Sequence, residues 1–195
     1  MESGEQGSGK GAVRRASQLV EEETGLPPFI TIDQEGGVVT RFPDDMANIP
    51  GAMALASSGD EKNAYLASQI TAAELAELGV NFNLAPVLDV NTNPENPAIG
   101  VRSYGDSPET VIRFANAAIR GYHNTGILCC GKHFPGHGST SVDSHLALPM
   151  VDRSYEQLKK EDFAPFAAAV KAGIQALMTT HILFPQLEDQ RLPAT

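Results

Sequence analysis

The sequence predicts an α/β fold built on a parallel sheet, and three observations carry that expectation. Four short apolar runs read as buried strands: Phe29–Ile32, part of Val80–Val90, Ile127–Gly131 and Ile174–Thr180. Continuous apolar runs of this kind suit parallel strands covered on both faces. Helical patterns lie between them, which is the alternation that a parallel sheet with crossover helices requires. Each run also ends in polar or charged residues: Asp33-Gln34-Glu35, then Asp89, then Lys132-His133, then His181. Polar residues that merely mark the exit from a core would explain one such ending, and explain four in succession less well. Functional residues at strand C-terminal ends are the mark of a (β/α) barrel or an open α/β sheet. A complete (β/α)8 TIM-type barrel takes about 250 residues and eight strands. The chain has 195 residues, so an incomplete barrel is expected.

Taken in order, residues 1–17 are rich in Gly, Ser and charge and are expected to be disordered, leaving 18–195 as the partial barrel domain. Gly4, Gly9 and Lys10 fall at P-loop spacing, but no strand precedes them and Gly11 stands where Ser or Thr is needed, so the match is rejected. Glu61–Leu78 is expected to be helical with Leu66, Ile70 and Ala73 facing the core. A second helix, Thr110–Tyr122, carries Val111, Phe114, Ala115, Ala118 and Tyr122 on one face, with Ser107 as its N-cap and Pro108 in its first turn. Ser154 and Gln157 form a capping-box pattern before a third helical stretch, in which Phe166, Ala169 and Val170 should face inward.

Composition narrows the function. The chain is 42% hydrophobic and 19% charged, with 24 acidic against 14 basic residues and a net charge of −10. That is enough apolar material for a core. It also argues against nucleic acid as a partner, because sequence-independent binding needs a basic face. No apolar run is long enough to span a membrane, and the N-terminus lacks the apolar centre of a secretory signal. Cys129 and Cys130 are adjacent, a poor geometry for a structural disulfide, and sit on an apolar run where core packing is expected. A cytoplasmic location follows as the default.

The densest chemistry lies in Lys132-His133-Phe134-Pro135-Gly136-His137-Gly138-Ser139-Thr140-Ser141-Val142-Asp143-Ser144-His145. Three histidines, a lysine and an aspartate within fourteen residues of a strand end are difficult to explain by packing. Asp143 and His145 form an Asp-x-His pair; a carboxylate beside an imidazole fixes its tautomer and suits it to general acid–base work. A turn aspartate beside an exposed histidine is the plain alternative. A zinc site of His133, His137, Asp143 and His145 is disfavoured, because His-x3-His on a Gly/Pro loop lacks the helix that fixes such ligands.

These residues resemble the N-acetyl-β-glucosaminidase branch of glycoside hydrolase family 3, the bacterial cell-wall-recycling β-N-acetylhexosaminidases. The matching segments are Ile32-Asp33-Gln34-Glu35-Gly36-Gly37 with Arg41-Phe42, and Asn83-Leu84-Ala85-Pro86-Val87-Leu88-Asp89-Val90. They continue with Asn93-Pro94, Ile99-Gly100-Val101-Arg102-Ser103-Tyr104-Gly105, the Lys132–His145 loop and Met178-Thr179-Thr180-His181. The resemblance implies hydrolysis of terminal β-linked N-acetylglucosamine with retention, and a carbohydrate partner. It implies no cofactor and no metal. By resemblance Asp33 hydrogen-bonds sugar hydroxyls, Arg41 and Arg102 line the sugar subsite, and Lys132 and His133 grip ring hydroxyls. His145 matches the general acid–base and Asp143 its dyad partner, in place of the carboxylic acid of most glycosidases. A neutral imidazole would not repel an anion, which leaves phosphate open as an acceptor in place of water.

Several readings stay open. Asp33 and Arg102 could form one ion pair; Asp89 is as readily an architectural hydrogen-bonder as a ligand contact; Glu35 could be a sugar contact but reads better as a turn carboxylate, and His181 reads as a supporting residue. Val38 stands where the family usually has a basic residue. No residue matches the family's aspartate nucleophile, which is expected beyond residue 195, and the first barrel strand is expected to be absent. The alternatives are a β-glucosidase of the same superfamily, a non-catalytic carbohydrate-binding fragment and a metallohydrolase.

Overall fold

The computed structural model describes residues 9–142, 148–188, 190 and 192–195. Asp143 and His145 therefore lie outside the described residues. Four parallel strands, β1 (Thr31–Ile32), β2 (Phe82–Asn83), β3 (Leu128–Phe134) and β4 (Ala176–Thr179), stand side by side in sequence order. The order never reverses, which separates this sheet from a doubly wound one. The helices α1 (Gly9–Thr24), α3 (Lys62–Leu78), α4 (Pro108–His123) and α6 (Phe163–Lys171) follow the same succession: α3 packs on α1 and α4, and α4 on α6. A sheet wrapped by helices taken in strand order is the wall of a β/α barrel, as the sequence predicts.

Local signals decide where the helices begin. Ser107 Oγ accepts from the Thr110 amide ahead of Pro108 in the first turn of α4. Ser154 and Gln157 make the reciprocal capping box at α5 (Tyr155–Lys160). The third helical stretch is two helices rather than one, broken at Glu161-Asp162 between α5 and α6. A short α2 (Ala52–Ser57) and a 3₁₀ turn at Gly100–Arg102 complete the set. No described helix is long and apolar enough to cross a membrane.

Three expectations are corrected. Residues 9–17 are not disordered but open α1, whose Arg14 guanidinium donates to the Glu77 carbonyl at 2.9 Å and so serves the unpaired end of α3. The core face of α3 is not Leu66, Ile70 and Ala73, all of which are exposed; it is Ala64, Ala67, Ser68, Thr71, Ala72 and Leu75. Val170 also faces outward, while Phe166 and Ala169 are buried as expected. The main core joins the buried faces of α3, α4 and α6 to Cys129 of β3 and to Val80, Leu88 and Ile127 beside the strands. Both cysteines are buried and free, and burial pushes the Cys129 thiol up to about 12.

Candidate active site

The C-terminal ends of β1, β2 and β3 converge. Asp33 and Glu35 leave β1 two residues apart, and the alternation of an extended chain sends both side chains the same way. They meet Lys132, the fifth residue of β3. Its ammonium stands 2.5 Å from Asp33 Oδ1 and 2.7 Å from Glu35 Oε1. Arg102, at the end of the 3₁₀ turn, completes the group with a bidentate pair to Glu35: Nε donates to Oε2 at 2.8 Å and Nη2 to Oε1 at 2.7 Å. Its Nη1 donates to the Ala98 carbonyl at 2.7 Å, which fixes the fork.

Burial differs sharply within this cluster. The side chains of Lys132 and Glu35 are 2% and 7% exposed, whereas that of Asp33 is 42% exposed. Burial alone would raise the Glu35 carboxyl, but the Arg102 hydrogen bonds and the Lys132 charge bring it below the usual carboxylate range. Arg102 is held more firmly protonated than usual: burial works against its charge, and its bond to Glu35 outweighs that. Glu35 thus anchors the two cations from beneath. Asp33 stands as the carboxylate a ligand can reach.

His133 is positioned from the neighbouring strand. The β3–β4 register slips between Lys132 and Phe134, so His133 occupies a bulge. Its backbone N–H turns to the Asp89 carboxylate at 3.3 Å, and its Nδ1 bonds Asp89 Oδ2 at 2.7 Å. The same carboxylate accepts the His137 amide at 2.7 Å. Asp89 is fully buried, and burial would raise its carboxyl; the His133 ring and the His137 amide more than offset this and lower it. With Nδ1 donating to Asp89, Nε2 is the ring's second nitrogen and the acceptor of the neutral imidazole.

The described residues on either side of Asp143 and His145 in the sequence are held by specific contacts. On one side His137 Nδ1 bonds Thr140 Oγ1 at 2.7 Å, and the His137 carbonyl accepts Asn96 Nδ2 at 2.8 Å. Gly138 lies so close to the Val90 carbonyl that a Cβ there would collide with it. On the other side the Val151 amide donates to Leu183 at 2.9 Å, and Arg153 bonds Glu161 at 2.9 Å and Asp162 at 2.8 Å. Burial raises the Asp162 carboxyl to about 6.

The expected ligand-binding residues separate on this evidence of geometry. Asp33, Arg102, Lys132 and His133 come together. Arg41 does not enter the ion-pair cluster: its amide is fixed by Gln34 Oε1 at 2.7 Å, while its exposed guanidinium donates to the Thr40 carbonyl. The Asp33–Arg102 pair does not form, since each residue takes a different partner. Glu35 is a buried member of the cluster and not a turn carboxylate, and its spacing from Asp33 was the signal for it. Asp89 proves architectural. His181 is exposed and bonds Thr195 Oγ1 at 2.7 Å.

A parallel β/α wall with paired cations and carboxylates at its strand C-terminal ends defines the catalytic-domain class of barrel enzymes. Residues 3–195 match the model of the glycosyl hydrolase family 3 N-terminal domain, and the chain belongs to that family. It is 39% identical over 186 residues to a β-hexosaminidase A of Pseudoalteromonas piscicida, which covers 93% of this chain and 31% of that protein. Its fold superposes with a TM-score of 0.92 and 46% identity on a family 3 β-N-acetylglucosaminidase from a Paenibacillus species, covering 95% of this chain and 35% of that one. A NagZ from Neisseria gonorrhoeae in complex with N-trifluoroacetyl-D-glucosamine gives a TM-score of 0.83 and 34% identity, covering 93% and 55% respectively. The chain thus spans about a third to a half of the relatives it matches.

Proposed function

We propose that this chain forms the sugar-gripping part of a glycosidase that removes terminal, non-reducing β-linked N-acetylglucosamine. The observation that carries the reading is the Asp33–Lys132–Glu35–Arg102 cluster beside the Asp89-held His133, all at one end of the sheet. Such a set offers a reachable carboxylate and an imidazole Nε2 to accept hydroxyl protons, and an ammonium to bond hydroxyl oxygens. Charged partners strengthen each such bond. The relatives named as β-hexosaminidases and β-N-acetylglucosaminidases support the substrate class.

In this reading His145 protonates the glycosidic oxygen and later deprotonates water, and Asp143 holds its tautomer. Arg41 reaches the sugar only from its exposed loop. The carboxylate that captures C1 comes from outside residues 1–195. The substrates are cell-wall-derived sugars, and the protein acts in the cytoplasm.

Calorimetric titration with N-acetylglucosamine and with glucose tests the proposal, alongside chromophore release from an aryl N-acetyl-β-glucosaminide. We expect N-acetylglucosamine to bind in preference to glucose, and Lys132→Met to weaken it by about tenfold or more, the worth of a charge-assisted bond. We expect no turnover by the chain alone. Failure of a folded chain to bind the sugar would overturn the reading; turnover abolished by His145→Ala would place the capturing carboxylate within these residues.

A further inference from the structure

Strand β1 lies at the edge of the sheet and pairs with β2 over two residues, Thr31 with Phe82 and Ile32 with Asn83. The Ile32 carbonyl accepts from the Leu84 amide at 2.8 Å. Continued in the same register, Gln34 would need the Leu84 carbonyl as its acceptor and the amide of residue 86 as its donor. Residue 86 is proline and has no N–H to give. The β2 chain also turns to its other neighbour at this point. The Ala85 and Pro86 carbonyls accept from Cys130 at 3.0 Å and Lys132 at 3.2 Å. The backbone beyond Asn83 thus serves β3, and the peptide groups of Gln34 must find another partner.

That partner is a side chain. Asn83, fully buried at the end of β2, receives the Gln34 amide on Oδ1 at 3.0 Å and donates from Nδ2 to the Gln34 carbonyl at 2.8 Å. One planar amide therefore meets both polar backbone groups of one residue, as a neighbouring strand would. Asn83 Nδ2 also donates to the hydroxyl of Tyr122 on α4 at 2.9 Å. The Gln34 side chain is fixed as well: Nε2 donates to Thr40 Oγ1 at 3.0 Å, and Oε1 accepts from the Arg41 amide at 2.7 Å.

Gln34 stands between Asp33 and Glu35, and in an extended chain these two project to the face opposite its own side chain. The orientation of the Gln34 peptide groups thus aims both carboxylates at Lys132 and Arg102. The ion pairs cannot set that aim by themselves. An ammonium on a flexible four-carbon stem follows a displaced carboxylate, so Lys132 does not dictate where Asp33 stands. Charge-assisted bonds to a ligand demand a narrow range of distance and angle, which a rigid supporting contact must supply.

We infer that Asn83 is a positioning residue of the sugar site: itself buried away from any ligand, it holds the Gln34 backbone and through it the Asp33 and Glu35 carboxylates, with the Tyr122 hydroxyl as its backstop. The inference rests on the sugar-binding function proposed above.

Calorimetric titration of the 195-residue chain with N-acetylglucosamine, read beside its urea midpoint, separates aim from stability. Asn83→Leu fills the same space and meets neither Gln34 group, so the folded variant should bind the sugar about tenfold more weakly or worse. Tyr122→Phe removes the outer bond and leaves both bonds to Gln34; its affinity should stay within about twofold although its midpoint falls. Asp33→Asn should weaken binding in the unmodified chain and add much less to Asn83→Leu, where that carboxylate is already out of place. Should Asn83→Leu not fold, Asn83→Asp carries the test: it keeps the shape and the acceptor, loses the donor to the Gln34 carbonyl, and should also weaken binding. A folded Asn83 variant that binds as tightly as the unmodified chain would overturn the inference and leave the proposed function standing. Equal losses in Asn83→Leu and Tyr122→Phe would overturn it too, because a general loosening of the core produces that pattern. Failure of the unmodified, folded chain to bind the sugar would remove both.

Discussion

Helices α3 and α4 lie against each other, yet α4 sets large side chains among the small ones it buries, whereas α3 buries almost only small ones. On α4 the buried face holds Val111, Phe114, Ile119 and Tyr122 alongside Ala115, Ala117, Ala118 and Gly121. On α3 it holds Ala64, Ala67, Ser68, Thr71, Ala72 and a single Leu75, while Leu66 and Ile70 point outward. The contact explains the difference. At Gly121 of α4 a Cβ would collide with Ser68 Oγ and stand 2.5 Å from the Tyr65 carbonyl. Two backbones that approach this closely leave room only for small residues between them. Size, and not hydrophobicity alone, therefore selects the buried face of α3.

The comparison can be broken from the large side first. Phe114→Ala empties a buried position that stacks on Tyr104 with ring centroids 5.9 Å apart. It should cost about 3–5 kcal/mol in urea unfolding. Gly121→Ala should follow at about 1–3 kcal/mol, because the added methyl must push the helices apart. Adding Ser68→Ala should restore only part of that loss, since the Tyr65 carbonyl is backbone and stays in place. An unaffected Gly121→Ala midpoint would show that the close approach is not what fixes the α3 face.

A pH-dependent effect lies next in size and touches the far end of the helical layer, where Asp162 precedes α6 without making a side-chain capping bond. Its folded-state carboxyl is raised to about 6 from the ordinary 3.8 by burial. The native state therefore binds a proton that the unfolded chain has released. The stability contributed by this group is full below about pH 4 and falls as pH rises through about 6. Unfolding midpoints at pH 4.5 and 7 should show a smaller difference in Asp162→Asn than in the unmodified protein. The smallest effect belongs to the outward residues of α3: Leu66→Ala and Ile70→Ala should each change stability by about 0.5 kcal/mol or less. A loss of about 2 kcal/mol at either would return them to the core and contradict the structure.

The same contrast governs how much of the molecule could be read from its residues. Strand positions, their parallel order and the caps at Ser107 and Ser154 were legible because each depends on local chemistry. The face of α4 was legible because its side chains are large; that of α3 was not, because a buried Ala or Ser carries little hydrophobic signal. The helical start at Gly9 was masked by a polar composition, and α1 is secured by a hydrogen bond to a helix 62 residues or more away. In the site, Asp33, Arg102, Lys132 and His133 came from motif and strand-end position. The partners chosen by each were fixed only by three dimensions: Glu35 lies between two cations, and Asp89 serves two histidines from an adjacent strand.

Cys129 and Cys130 occupy successive positions of β3, and successive strand residues face opposite sides of the sheet. Cys129 belongs to the core beneath the helices, whereas Cys130 turns to the other face, and both thiols are sealed from solvent. The pair is thereby a two-channel clock. A thiol reagent must wait for helices to lift before it reaches the first, and for the inner surface to open before it reaches the second. The two labelling rates would time the separate loosening of each side of one strand.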